Sequence, residues 1–318
     1  MPELPEKSHK MLMNLFGLAS MQEMPAMSAH VRELISLLGN ARATAKDLTS
    51  AILKDYSLTV KVLQVVNSAY YMRSVPITTI SRAVTVIGYT ALRDLALGIA
   101  LFEEFRKQGQ EKDRILELTT LNFVSATQGR LLTHDKKYPV SPEEAFICTL
   151  LHNLGKMVVL VYLPKRYLAF EQCVDQGFSD ERAARTTLND LTFGEVGCEI
   201  GRYWNFSDTI LNCMDANPPK PEKPTDTLLM LQNIAAFNNQ LTAILLKGTD
   251  IDLEELLYRY GGVLAIGKEE ARDLVRRSVE TAEDISEPIR LGLHKLKMRE
   301  KLIPAVRDQK AEWRRDDA

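Results

Sequence analysis

Apolar residues recur at helical spacing along almost the whole chain. Residues 28–38 place Val31, Leu34, Ile35 and Leu38 at i, i+3, i+4 and i+7, the stripe of an amphipathic helix. Alternation with period two, the mark of a half-buried strand, is scarce, so the pattern predicts an all-α protein. A Met-rich apolar segment over 11–21 predicts a first helix, cut off from the rest by Pro25. Thr44 is placed to cap a helix carrying Leu48, Ile52 and Leu53, with Asp47 as an acidic near-match to a capping box. Ser57 opens a further helix with Leu58, Val62, Leu63, Val65 and Val66, and Asn67-Ser68 lies near its end. Two apolar helices over 80–87 and 91–102 are broken at Gly88-Tyr89, and one over 114–132 ends in a polar loop, 133–138. Ser141-Pro142-Glu143-Glu144 marks a helix start, with Ser as N-cap, Pro at N1 and acids in the first turn. Pro164 stops the apolar stretch that follows, and helices over 181–191 and 193–204 come next.

Four prolines between 218 and 224 place a boundary there. The expected organisation is an N-terminal helical segment (1–22), a domain over 23–219, and a mixed-charge helical accessory region (220–318). The domain divides into an N-lobe, about 23–110, and a core, about 111–219.

Composition narrows the function classes. With 45% apolar and 26% charged residues in 318, the chain can bury a sizeable core. A formal net charge of -2 lacks the basic excess of a general polyanion binder, so nucleic acid is not favoured as a partner. The four cysteines, Cys148, Cys173, Cys198 and Cys213, form no CxxC pair, and Cys148 sits in an apolar run that suits a buried reduced thiol. The first residues lack the basic and apolar regions of a signal peptide, and the longest apolar run, 157–163, is too short for a membrane span. A cytoplasmic protein with no membrane partner is the expectation.

The candidate chemistry lies in Leu150-Leu151-His152-Asn153-Leu154-Gly155-Lys156. It stands last in an ordered series of short motifs: Met24-Pro25-Ala26-Met27, Asp55-Tyr56-Ser57, Asn67-Ser68-Ala69-Tyr70-Tyr71, Val75-Pro76-Ile77, Ile87-Gly88 and Leu92-Arg93-Asp94. This order resembles the HDOD domain, a bacterial signalling relative of the HD metal-dependent phosphohydrolases, and covers roughly 23–219. The resemblance implies an N-terminal helical bundle followed by an HD-like helical core. It marks Asn67, Ser68, Tyr70, Pro76, Gly88, Arg93, Gly155, Gly197 and Trp204 as family-motif positions.

The resemblance also implies what a working metal site would need. In the catalytic relatives an Asp follows the His, where this chain has Asn153. An ionised carboxylate bridges metal ions; a neutral amide offers one carbonyl oxygen and no charge. A His is expected on the upstream helix, yet 118–129 contains none. Further His positions fall at Thr192-Phe193 and at 215–219, again without His. Of five histidines (His9, His30, His134, His152 and His294), only His152 matches a ligand position. His134-Asp135 is a literal HD dipeptide in what reads as a polar loop, hence a surface feature.

The structural alternatives are plain: His152 and Asn153 as hydrogen-bonded core residues, Gly155 as a point of close approach, and Lys156 as a cap on the last carbonyls of its turn. The functional alternative is a vestigial pocket of His152, Asn153 and Lys156 holding a phosphate or nucleotide. Asn67 and Ser68 read as a cap between the lobes. The basic stretch 294–302 reads as a solvated helix face. These readings predict a catalytically silent signal-transduction scaffold with no catalytic residue, metal or cofactor. Its expected partner is a signalling protein, with a small nucleotide-like ligand as the further candidate. The alternative is a residual phosphohydrolase or phosphodiesterase using a divalent metal near His152. Sequence leaves the oligomeric state open.

Overall fold

A computed structural model describes residues 6–17, 29–38, 40, 42–67, 77–221, 226–247, 250–283, 285 and 287–298. Among the described residues the chain forms α-helices and no strand. The N-terminal part comprises α1 (Glu6–Phe16), α2 (Ala29–Leu38), α3 (Ala45–Leu53), α4 (Tyr56–Asn67), α5 (Ile80–Ile87) and α6 (Tyr89–Gln108). The middle comprises α7 (Lys112–Lys136), α8 (Pro142–Leu151), α9 (Leu154–Tyr162), α10 (Pro164–Asp175), α11 (Asp180–Thr187), α12 (Phe193–Tyr203) and α13 (Asp208–Asn212). The chain closes with α14 (Thr227–Lys247), α15 (Asp250–Leu264), α16 (Lys268–Ala282) and α17 (Glu287–Lys295).

Local chemistry accounts for the helix starts. The Thr44 hydroxyl accepts from the Asp47 N–H and the Asp47 carboxylate from the Thr44 N–H, closing the capping box on α3. The Ser141 hydroxyl accepts from the Glu143 and Glu144 amides and starts α8 behind Pro142. Thr192 and Glu195 form a second capping box on α12. Gly88 separates α5 from α6 at φ 87, a left-handed conformation that a Cβ disfavours.

α7 is the axis of the fold. It packs against α6, α8, α9, α14, α16 and α17, and nearly every residue from Leu118 to Thr133 is buried. Several of these are polar. Thr119, Thr120, Thr127 and Thr133 donate their hydroxyls to carbonyls one turn back, which satisfies them inside the core. α8 and α9 lie across this axis. Pro142–Tyr162 is long and apolar enough to cross a membrane by composition, longer than the run 157–163 suggested, but 83% of its most apolar window is buried inside the protein. It is a core element.

Packing runs across the proline-rich boundary expected near 219, because α14 lies against both α7 and α8. The N-lobe is tied to the core by Asp94, where the buried carboxylate accepts from Ser207 Oγ at 2.7 Å and from Arg93 Nε at 3.0 Å. Trp204 is buried beside Phe105, with ring centroids 6.2 Å apart.

Three readings are corrected. Residues 133–136, expected in a polar loop, extend α7 by another turn before Lys137 turns left-handed at φ 52. α10 was absent from the expected elements: Pro164, taken as a stop, stands at the first position of α10, where its missing N–H costs nothing. The helix expected over 181–191 ends at Thr187, because Asn189 and Asp190 adopt positive φ.

Candidate functional site: an amide cluster at the α8–α9 junction

His152 caps the C-terminus of α8, and Asn153 precedes the first residue of α9. The bend turns Asn153 toward α7 and α14. Its Nδ2 donates to Asn122 Oδ1 at 3.0 Å and to Asn239 Oδ1 at 2.7 Å. Asn239 in turn donates to the carbonyls of Thr149 at 3.0 Å and Ala235 at 2.9 Å. Three asparagines from three places in the sequence thus lock α7, α8–α9 and α14 together.

His152 stands beside them with 7% of its surface exposed. Its Nδ1 lies 2.6 Å from the Cys213 carbonyl oxygen, which fixes the tautomer: Nδ1 carries the proton and donates. Burial is the main cause that lowers its pKa to about 4, with Lys156 adding to the fall; the Cys213 bond and Asp215 oppose it. The neutral imidazole therefore belongs to the folded state. An unfolded His binds protons below about pH 6.5, so stability falls as pH drops from 6.5 toward 4. Between pH 7 and pH 5 this group should cost about 2 kcal/mol. Urea unfolding of wild type and His152→Gln at both pH values checks this: the wild type should lose that much more stability than the variant, and equal losses would contradict it.

The residues offer a poor home for the divalent metal that the family resemblance raises. Among the described residues no three His, Cys, Asp or Glu side chains converge to hold one. The Asn122 and Asn239 carbonyl oxygens are engaged by Asn153, which leaves one imidazole with Asp215 near it, fewer than the three side chains a divalent ion needs. The donor set does not fit the ion.

Lys156 does not join the cluster. Its Nζ binds Asp180 Oδ2 at 3.1 Å and lies 5.5 and 5.6 Å from the ring centroids of Phe170 and Phe193. It sits in the first turn of α9, so it caps no last carbonyls. Gly155 packs α9 on α12 at Gly197: a Cβ on Gly155 would overlap the Phe193 carbonyl oxygen and lie 2.8 Å from the Gly197 nitrogen. Asn67, expected to cap between the lobes, bonds within the N-lobe instead. Its Nδ2 donates to the Ile77 carbonyl at 2.6 Å and its Oδ1 accepts from the Ile77 N–H at 2.8 Å. Ser68, Tyr70 and Pro76 lie outside the described residues. His134 and Asp135 are on the last turn of α7, where Asp135 pairs with Arg277 at 2.7 Å.

Asn122 and Asn239 escaped the sequence reading. The resemblance implies a His on the upstream helix, and 118–129 contains none. Asn239 lies beyond residue 219, outside the span that the resemblance covers. The signal for Asn239 was an amide inside the apolar run of α14, one turn after Ala235. A buried amide needs a partner, and here that partner is Asn153.

The core is all-helical among the described residues, and an amide, Asn153, follows His152 in its motif. The HDOD domain model matches residues 24–218, more than half the chain, and the protein belongs to the HDOD family. Three solved structures share the fold. A Shewanella amazonensis SB2B protein, named as a candidate phosphohydrolase, aligns with TM-score 0.59 and 20% identity over 92% of this chain and 98% of its own. An HDOD domain protein of unknown function from Geobacter sulfurreducens aligns with TM-score 0.55 and 18% identity over 94% and 97%. A candidate signal-transduction protein from Marinobacter aquaeolei VT8 gives 0.56 and 17% over 92% and 65%. An uncharacterized Treponema pallidum (strain Nichols) protein is 21% identical over 222 residues, and this chain spans 42% of its length.

Proposed function

We propose that this chain is a catalytically silent HDOD module of signal transduction. It acts as a regulatory scaffold that binds a partner protein or a small signalling ligand. The observation that carries the reading is the Asn122–Asn153–Asn239 cluster. Where hydrolytic relatives need charge, this chain places three neutral amides: Asn153 donates to Asn122 and Asn239, and Asn239 donates on to two backbone carbonyls. The site has become an interhelical lock. The likeness to a protein named for signal transduction supports the same reading at the level of fold. The region from α14 onward completes the core and would set partner choice, and the cytoplasm is the proposed compartment.

One observation favours the alternative, a residual metal-dependent phosphohydrolase. His152 donates Nδ1–H to a backbone carbonyl, the arrangement that orients metal-binding imidazoles. The test is hydrolysis of bis(p-nitrophenyl) phosphate with Mn²⁺ added. The silent module should give the same background rate as His152→Ala. A rate well above background that His152→Ala abolishes would establish the enzyme instead.

A further inference from the structure

α1 precedes the matched domain, which begins at residue 24, yet it is seated on the core. Its main neighbour is α12, while α2, the next element, packs on α3 and α6 of the N-lobe. Leu12, Leu15 and Phe16 stand at i, i+3 and i+4 on α1 and so share one face. Leu12 is 1% and Leu15 6% exposed, and Phe16 packs against the core beside them. Lys10 and Asn14, on the opposite side of the helix, face solvent. The core thus receives an amphipathic helix through a Leu-x-x-Leu-Phe stripe, the same physics by which one protein takes a helix of another into a groove.

α1 is held more weakly than the elements beneath it. It has 11 residues, too few for a helix to persist alone in water. Its two buried leucines contrast with α7, which is buried at nearly every position from 118 to 133. An element with few buried apolar contacts opens at low cost. α12 also packs on α9, where Gly197 meets Gly155, so it stands between α1 and the helix that follows the His152–Asn153 junction.

We infer that α1 is a displaceable cover on a helix-docking face of the core, and that a partner protein docks there through an amphipathic helix with the same Leu-x-x-Leu-Phe stripe. α1 shows the chemistry that the face accepts: two leucines one turn apart and an aromatic ring beside them. The inference rests on the reading of the chain as a regulatory module that binds a partner, and names the surface and the kind of helix it takes. Because α12 touches both α1 and α9, exchange of one helix for the other would reach the His152–Asn153 junction.

A fluorescein-labelled peptide of residues 5–17 stands in for the partner helix, and anisotropy reads its binding to the full chain. Leu12→Asp/Leu15→Asp puts two charges into the apolar contact and should release α1. Saturable binding of the peptide to this variant is expected, about tenfold or more tighter than to wild type, whose own α1 occupies the face. A peptide with the same two substitutions should not bind. Hydrogen exchange on the unaltered chain needs no variant: the α1 amides should exchange about a hundredfold faster than those of 118–133 in α7. No saturable binding to the variant, equal binding to variant and wild type, or α1 as protected as α7 overturns the inference. A variant that no longer melts cooperatively would make α1 an integral part of the core and overturn it as well. A wild-type dimer that the variant dissociates would assign the face to α1 of a second copy, with the same consequence. Each of these failures leaves the hydrolysis comparison with His152→Ala untouched, so the two readings fail separately.

Discussion

Asn153→Asp, the substitution that restores the family's metal-site letter, is expected to destabilise this protein by about 3 kcal/mol at neutral pH. Asn153 uses both N–H bonds of its amide to hold the carbonyl oxygens of Asn122 and Asn239. A carboxylate has no N–H to give. It would face two oxygens that have lost their donor, with a negative charge added. Half-buried among acceptors, the new carboxyl would have a folded-state pKa above its unfolded value. Its protonated form, which still donates one bond, would be the tolerated one. The loss should therefore be small near pH 4 and grow as pH rises through the folded pKa. Urea unfolding at pH 4.5 and 7.5 measures this directly. A neutral or stabilising effect at pH 7.5, above all one enhanced by Mn²⁺, would mean that the cluster is a metal site short of one ligand.

Gly155→Ala is expected to cost at least about 3 kcal/mol. The added Cβ meets backbone, the Phe193 carbonyl and the Gly197 nitrogen, and neither can swing aside as a side-chain tip could. α9 and α12 would have to separate, and that contact also fixes the start of α12 beside the loop that carries Cys213. Thermal unfolding should show a drop of several degrees, together with a weaker His152–Cys213 bond seen as a further fall in the His152 pKa. An alanine variant as stable as wild type would refute the close crossing of these helices.

Legibility in the sequence followed the physics of each element. Amphipathic helices with short polar caps, such as α2, α3 and α8, announce themselves by spacing and by Thr44 or Ser141. The HD-like fold was legible because many short motifs keep one order. α10 was not legible: only Tyr167 and Phe170 are buried, so its apolar stripe is thin, and its proline start resembles a stop. The full burial of α7 was hidden by threonines that satisfy themselves through their own backbone. His152 and Asn153 stood out, but their chemistry depends on Asn122 and Asn239, 31 and 86 residues away from Asn153. No local pattern reports a contact across that separation. Lys156 was misplaced for a related reason: helical position puts it near the motif, while Asp180 and two rings from other helices decide where it points.

The central claim is that this HDOD core keeps the fold of the metal phosphohydrolases with a neutral hydrogen-bonded lock in place of the metal. Elemental analysis of the full chain, purified without chelators from cells supplied with Fe, Mn and Zn, tests it most directly. The account predicts far less than one metal ion per chain, with the same trace content in His152→Ala. Near-stoichiometric Fe, Mn or Zn in the wild type, lost in His152→Ala, would contradict it.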